Sequence, residues 1–217
     1  MTTQRWERYA PWTGVLAVVM WVVGFLVMVS SGMVAQDASP EEVLAHYQSN
    51  GGPVIAGSYV FMLGTLVFLW FLGSLVTSLR SAEGGVGSVA SIAFGGGLAM
   101  AVCALLLPSG GVTLALAAGT MTATSADALR HLPGVFYIGV ELFATVLVAA
   151  TGLVALRTAI LPRVLAWVSL VLAVVLLIPP IGWAGVLLGF PVWVVAVSLL
   201  LTRTARTSVR PDAALPT

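Results

Sequence analysis

The chain has 217 residues, of which 59% are hydrophobic and 8% are charged, with a formal net charge of +1 and a mean hydropathy of +1.07. Because a soluble domain carries about 25% charged residues, this composition excludes a water-soluble shell and predicts an all-α, polytopic membrane helix bundle. The few basic residues argue against nucleic acid as a partner. A single cysteine excludes an intramolecular disulfide.

Long apolar runs predict six membrane-spanning helices, since a helix needs about 20 residues to cross the hydrocarbon core. The last long run, residues 161–201, is long enough for two helices. Pro179 and Pro180 divide it, and we expect them to form a tight turn with Gly182 and Gly185. The predicted spans are residues 13–34, 53–79, 88–107, 133–156, 161–178 and 186–202.

The basic residues, all of them arginines, predict the orientation of the bundle. Eight fall on the same side of the predicted spans, and only Arg130 falls on the other. Since cytoplasmic loops are enriched in Lys and Arg, we expect both termini in the cytoplasm. The lysine-free, Ala- and Val-rich composition is typical of a GC-rich bacterial genome, so a bacterial plasma membrane is expected, with residues 203–217 as a disordered cytoplasmic tail. The eight are Arg5, Arg8, Arg80, Arg157, Arg163, Arg203, Arg206 and Arg210.

The first long outer connection, residues 36–52, carries a helix-start signal. Ser39 offers a hydroxyl cap, Pro40 stands where no backbone donor is needed, and two acids follow near the positive helix end. We expect a short helix from Pro40 to about Gln48, ended by Asn50 and the two glycines after it.

The second outer connection, residues 108–132, is rich in glycine and threonine. Its apolar stretch, residues 112–118, is too short to span a membrane. We expect this stretch to lie at the membrane interface or to extend the third helix irregularly. Ser125 with Asp127 indicates a cap on a turn of helix that leads into the fourth span.

Three tryptophans, Trp21, Trp70 and Trp193, lie near the middle of predicted spans. One interpretation is bulky filling between helices or against lipid. The other is a stacking platform for a ring-shaped ligand, since indole rings offer a large flat face.

Small residues recur every four positions in the third span, at Ser91, Gly95, Ala99 and Cys103. Residues of this size at this spacing let two helix backbones approach closely. The pattern predicts a helix-packing face, either inside the monomer or between protomers, and Gly96–Gly97 extend the smooth surface.

Glu141 is the only acid inside the predicted hydrocarbon region. A lone carboxylate there costs several kcal/mol unless it is protonated, hydrated or partnered. It should therefore face the bundle interior. It could serve as a proton- or cation-responsive site or an anchor for a basic ligand group, or it could simply accept a hydrogen bond from a hydroxyl such as that of Tyr59 or Tyr137.

Arg130 and His131 precede the same span, and Arg130 is the arginine that breaks the charge pattern. Two interpretations are open. Arg130 pairs with Asp127 at i, i+3 on a hydrated helix turn, which is worth a few tenths of a kcal/mol. Alternatively, Arg130, His131 and Glu141 line a polar vestibule that faces outward.

Catalytic and metal-binding motifs are weak or missing in the sequence. There is no Gly-x-Ser-x-Gly elbow, His-Glu-x-x-His motif or Walker loop. Glu42 and His46 stand at i, i+4, but two ligands at helical spacing do not make a zinc motif, and a solvated helix face is the simpler interpretation. We expect no enzymatic activity and no cofactor.

Several short runs along nearly the whole chain resemble those of uncharacterised six-helix membrane proteins of actinobacteria and related bacteria. The resemblance implies six helices in the cell membrane, with no established activity and no catalytic residues. The runs are Ser39-Pro40-Glu41-Glu42 with Tyr47, Phe71-Leu72-Gly73-Ser74-Leu75 leading to Leu79-Arg80, Ala150-Thr151-Gly152-Leu153 leading to Leu156-Arg157, and Leu161-Pro162-Arg163 with Trp167.

Two functions of different classes follow from these features. In the first, the bundle binds or moves a small solute or a lipid through a polar site near Glu141. In the second, it is a non-enzymatic accessory subunit whose small-residue face on the third helix packs against another membrane protein or a second copy of the chain. Membrane lipids are expected partners in both.

Overall fold

The computed structural model describes residues 10–207 except residue 86, and it describes no side chain at positions 180 and 204–207. Arg5, Arg8 and Arg210 lie outside the described residues, as does the tail predicted beyond residue 207. The described chain is all-helical. Its elements are α1 Trp12–Val29, α2 Pro40–Glu83, α3 Ser88–Leu106, α4 Ser109–Ala117, α5 Ala123–Arg130, α6 Leu132–Thr158, α7 Arg163–Leu176, α8 Pro179–Ala184, a π-helical turn Gly185–Gly189, and α9 Phe190–Thr207.

Five helical segments in the described chain are long and apolar enough to cross a membrane. They are α1, α2, α3 continued by α4, α5 continued by α6, and the segment Ile181–Arg203. Helix α7, at the position of the fifth predicted span, is apolar but has only 14 residues. At 1.5 Å per residue it measures about 21 Å, less than the hydrocarbon thickness of about 30 Å.

The two ends of the bundle differ in their elements and charges. Short connections make successive long helices antiparallel, so α1 ends and α2 begins at the end where α4 and α5 lie, which we name the capped end. Four arginines with described side chains belong to the opposite end, the arginine end, because they stand where α2, α6 and α9 finish and α7 begins. Arg130 closes α5 at the capped end. The four are Arg80, Arg157, Arg163 and Arg203.

Helix α2 begins as the sequence predicts but does not end where expected. Ser39 and Glu42 form a reciprocal capping box in front of Pro40. Asn50 has φ −123° and ψ 17°, yet the glycines after it are helical and the helix runs on to Glu83. Pro53 causes this kink, because its ring displaces the carbonyl of the residue four positions earlier. The Asn50 side chain compensates by donating to the His46 carbonyl at 3.0 Å.

The paired prolines start a helix and do not form the expected loop. Leu177 and Ile178 make the turn, with backbone N–H groups that bond back to the last turn of α7. Pro179 then opens α8, where a missing donor costs nothing and the ring's fixed φ suits a first helical residue. Gly182 is therefore helical, and Gly185 opens the π-helical turn.

The connection 108–132 contains two helices: α4 continues α3 after a short break, and α5 leads into α6. Helix α4 packs against the part of α2 at the capped end, since a side chain at Gly51 would lie 3.3 Å from the Ala115 carbonyl. Helix α5 is capped by Thr122, whose hydroxyl accepts from the Ser125 N–H at 3.3 Å. Ser125 is thus the capped residue and not the cap.

Two of the three mid-span tryptophans fill the core. Trp21 donates to Thr65 Oγ1 at 2.9 Å and Trp193 donates to Ser169 Oγ at 2.8 Å, so each buried indole N–H is satisfied. Phe68, Phe71 and Phe190 complete one aromatic cluster with them. Trp70 is exposed on the surface of α2.

Candidate functional site

Two cavities adjoin each other at the capped end of the bundle. The first, of about 650 Å³, is the vestibule. It lies between the capped-end part of α2, the chain after α1 and the link between α5 and α6. The second, of about 340 Å³, is the chamber; it lies deeper, among α1, α2, α3, α6 and the π-helical turn. The two cavities share part of their lining, namely Met28, Leu107, Pro108 and Pro133.

Polar side chains line the vestibule from α2, from the α5–α6 junction and, with Gln36, from the chain between α1 and α2. His46, Tyr47 and Ser58 project from α2, and Arg130 and His131 stand at the junction of α5 and α6. The capping box fixes the start of α2 and the Thr122 cap fixes α5, so both elements are held at their first turns. The vestibule thus brings together Arg130 and His131 as the sequence predicted, and adds groups from α2.

Arg130 forms the ion pair that its spacing from Asp127 suggests. Its Nε lies 2.8 Å from Asp127 Oδ1, although the N–H does not point at the oxygen and no hydrogen bond forms between the two atoms. Its Nη1 donates to the Ala35 carbonyl at 3.5 Å, which links α5 to the chain after α1. The pair and the vestibule are therefore compatible, since the same side chain takes part in both.

His46 and Tyr47 are held by neighbours on their own helix. The His46 ring Nδ1 lies 3.5 Å from the Asn50 amide nitrogen, and its ring meets the Tyr47 ring edge-on at 5.4 Å between centroids. The Tyr47 phenol is protonated at neutral pH and can donate a hydrogen bond. These contacts belong to the section of α2 before the kink at Asn50.

The chamber is apolar and aromatic. Trp21, Phe61 and Phe190 form its floor, and Ala104 leaves space on the side of α3. Tyr137 is its one hydroxyl, and this group donates to the Trp183 carbonyl at 2.8 Å. The chamber can therefore hold an apolar chain but offers little to a polar solute.

One side of the chamber opens at the outer surface of the helix bundle. The rim residues contributed by α1 and the π-helical turn are between 43% and 58% exposed. The chamber is therefore reached through an apolar opening between α1 and the π-helical turn. The rim consists of Val22, Phe25, Leu26 and Leu187.

The π-helical turn beside the chamber is a feature that hydrophobicity did not predict. Pro191 lacks the N–H that would bond to Leu187 and its ring crowds that carbonyl, so a regular helix cannot continue through this segment. The wider turn Gly185–Gly189 relieves the conflict and directs Val186 and Leu187 toward the chamber. Such turns are frequent at functional sites, and Pro191 was the signal that could have indicated it.

Glu141 lies outside both cavities, although Tyr137 and Val140 on the same helix line the chamber. It is only half-buried, and a side chain at Gly182 would lie 2.9 Å from its Oε1. Neither expected tyrosine is its partner: Tyr59 is exposed, and Tyr137 donates to the Trp183 carbonyl. The predicted grouping of Glu141 with Arg130 and His131 is therefore not formed.

The predicted packing face of the third helix is not the one that packs inside the monomer. Ser91 and Gly95 are exposed, Ala99 and Cys103 are partly buried, and a side chain at Gly95 would meet no atom within 4 Å. The buried face is shifted around α3, because at 3.6 residues per turn a strict four-residue repeat drifts across the helix surface. Its small residues are Ala90, Ala93, Gly96, Gly97, Ala101 and Ala104.

No three His, Cys, Asp or Glu side chains among the described residues lie close enough to hold a metal ion. Comparison of the chain with protein-family models, with curated proteins and with solved structures finds no match.

Proposed function

We propose that this chain is a six-span protein of a bacterial plasma membrane, with both termini in the cytoplasm, that binds a lipid-like amphiphile at its outer, capped end. In this proposal the protein binds its ligand and catalyses no reaction. The observation that carries this proposal is a polar vestibule that lies directly beside an apolar chamber, with four lining residues in common.

The arrangement of arginines supports the orientation. Arg80, Arg157, Arg163 and Arg203 share one end of the bundle, as the positive-inside rule requires for a cytoplasmic face. Helix α7 supplies the sixth crossing in this proposal, because a short span is accommodated by local thinning of the bilayer.

The shape and the lining of the two cavities support an amphiphile. Each volume falls within the range of about 300–1,000 Å³ that is usual for ligand sites. An apolar chain would lie in the chamber among Trp21, Phe61 and Phe190, and a polar head would lie in the vestibule near His46 and Arg130. Both halves of such a molecule then meet matching surfaces.

The exposed rim of the chamber favours a lipid over a water-soluble solute. Phe25 and Leu187 are 43% and 48% exposed and would be in contact with acyl chains. A lipid-like molecule can therefore enter sideways without leaving the apolar phase. A polar solute would have to lose its hydration without gaining hydrogen bonds in the chamber, and this costs several kcal/mol.

Filling the chamber tests this proposal. Ala104 is 4% exposed and lines the chamber, so Ala104→Phe should reduce binding of a hexadecyl amphiphile by at least about tenfold, the effect of losing about 1.4 kcal/mol. Val102→Phe is the matched control, because Val102 is 51% exposed on another face of the same helix. Native mass spectrometry and a spin-labelled chain would measure retention.

Equal retention by wild type, Ala104→Phe and Val102→Phe would count against the chamber as the binding site. Leu187→Trp, at the exposed rim, gives a second test that does not disturb the core. It should slow ligand exchange even if Ala104→Phe folds poorly.

An accessory role remains a second candidate because one observation favours it. Ser91, Gly95 and Ala99 leave a smooth strip on α3, and Gly95 has open space beside it. Another helix could approach closely there. Such a partner would be a second copy of this chain or another membrane protein. Gly95→Leu should abolish the complex with that partner while the monomer stays folded.

A further inference from the structure

The polar groups of the vestibule distinguish between classes of headgroup. Its described lining contains three basic side chains, Arg130, His46 and His131, and no carboxylate. Asp127 pairs with Arg130 but is not part of the lining. A cationic headgroup would therefore meet like charge, whereas an anionic headgroup would meet a guanidinium.

Arg130 has donors left for a ligand. A guanidinium carries five N–H groups in a planar fork that matches phosphate and carboxylate oxygens. In this structure Nη1 donates to the Ala35 carbonyl and the buried Nε lies against Asp127, so the remaining Nη1 and Nη2 hydrogens, which have no partner among the described residues, are the ones left for a ligand. The side chain is 19% exposed, so a bond from it to an anion would be formed in partly desolvated surroundings.

The vestibule also places these donors next to the route that the apolar chain of a ligand would take into the chamber. His131 precedes Pro133 by two residues, and Pro133 lines both the vestibule and the chamber. His46 and Tyr47 face the same space from α2 and add ring nitrogens and a protonated phenol. A headgroup in the vestibule would therefore be bound from two sides while its chain passes into the chamber.

We propose that the vestibule binds the anionic headgroup, a phosphate or a carboxylate, of the amphiphile, with Arg130 as its principal contact. This inference rests on the proposed function. The shared chemistry also fits a free phosphate ion, and the lipid-borne form is the one that the adjoining chamber favours.

The experiment compares three probes with the same hexadecyl chain and different heads: hexadecyl phosphate, hexadecyltrimethylammonium and hexadecyl maltoside. Wild-type protein should bind the phosphate at least about tenfold more tightly than the cation, since hydrogen bonds from a guanidinium to an anion are stronger than those between neutral groups. Arg130→Gln should remove most of this preference and leave binding of the maltoside unchanged.

Two control variants carry related changes. Arg163→Gln removes one arginine from an exposed position at the other end of the bundle and should bind all three probes as wild type does. Asp127→Asn removes the ion pair but keeps Arg130, and should retain the preference for phosphate. If Arg130→Gln lowers the melting temperature, His131→Ala, at an exposed position, provides the second test.

The outcomes separate this inference from the proposed function. Equal binding of the three heads, unaffected by Arg130→Gln, would overturn the headgroup assignment while the chamber remains a chain-binding site. Failure of all three probes to bind would overturn the proposed function itself. Inorganic phosphate should not displace hexadecyl phosphate at comparable concentration, and full displacement would assign the vestibule to a free anion and overturn the lipid assignment.

Discussion

The two halves of this bundle differ in how closely their helices pack. In the half toward the arginine end, α2 buries Phe68, Phe71, Leu72, Leu75 and Leu79 to 1% exposure or less. In the half toward the capped end, the same helix leaves Phe61 partly exposed beside the chamber, and α6 buries Val140 but exposes Val135 and Ile138. Close packing and open volume therefore occupy opposite halves of the same helices.

This difference indicates that the arginine-end half contributes more packing energy, and it leaves the capped half as the region of the proposed binding site. A filled core gains dispersion contacts along its whole surface, and an open chamber forgoes them on the side that faces the void. The capped half has short helices, caps and the Arg130 pair around a much smaller buried cluster of Val43, Leu114 and Ala126. A bound chain would restore the missing contacts.

The largest expected effect comes from truncating matched aromatics in the two halves. Phe71→Ala should destabilise the protein by about 3–5 kcal/mol, since it empties a fully buried site. Phe25→Ala, at the 43% exposed chamber rim, should cost well under half of that. Reversible unfolding in mixed micelles measures both, and equal losses would break the comparison.

An intermediate effect is expected along α3, which passes through both halves. A side chain at Gly96 would lie 2.9 Å from the Leu147 backbone nitrogen, so Gly96→Leu should cost at least about 1–3 kcal/mol. Gly95→Leu, one residue earlier, meets open space and should leave monomer stability unchanged. Thermal unfolding compares the two.

The same pair of variants sharpens the choice between the two functions. Loss of a dimer or of a co-purifying membrane protein in Gly95→Leu, with the monomer intact, would support the accessory role. An unchanged assembly state, seen by native mass spectrometry, would remove that role and leave the capped half as the functional region.

The smallest expected effect is at the ion pair of the capped end. Asp127 is 38% exposed, so Asp127→Asn should cost only a few tenths of a kcal/mol. The melting temperature should change little, and Arg130→Gln should behave similarly without ligand. A loss above about 1 kcal/mol would show that this surface pair contributes more than exposed pairs usually do.

Much of the fold could be predicted from the sequence because its determinants are local. The apolar runs required membrane helices, and Ser39 with Glu42 required a capped start to α2. The i, i+3 spacing of Asp127 and Arg130 was enough to predict their pair. Each of these features depends only on residues that are close together in one segment of the chain.

Other features were misjudged because they depend on how competing local signals are resolved. Gly51 and Pro53 are helix breakers by preference, yet α2 kinks and continues because α4 packs against it. Pro179 opens a helix because the turn is completed before it. Local preference predicted a break in the helix at both places. The surrounding packing decided that the first is a kink and the second is a helix start.

The candidate site was decided by the tertiary structure alone. Sequence indicated Arg130 and His131, but the sequence does not specify that His46 and Tyr47, more than eighty residues earlier, face the same vestibule. It also placed Glu141 with them, ten residues or about 15 Å along α6, whereas Glu141 lies beside Gly182. Composition and charge thus determined a membrane bundle and its asymmetry, because they act on each helix separately. The cavities exist only where several helices diverge together, which no single segment encodes.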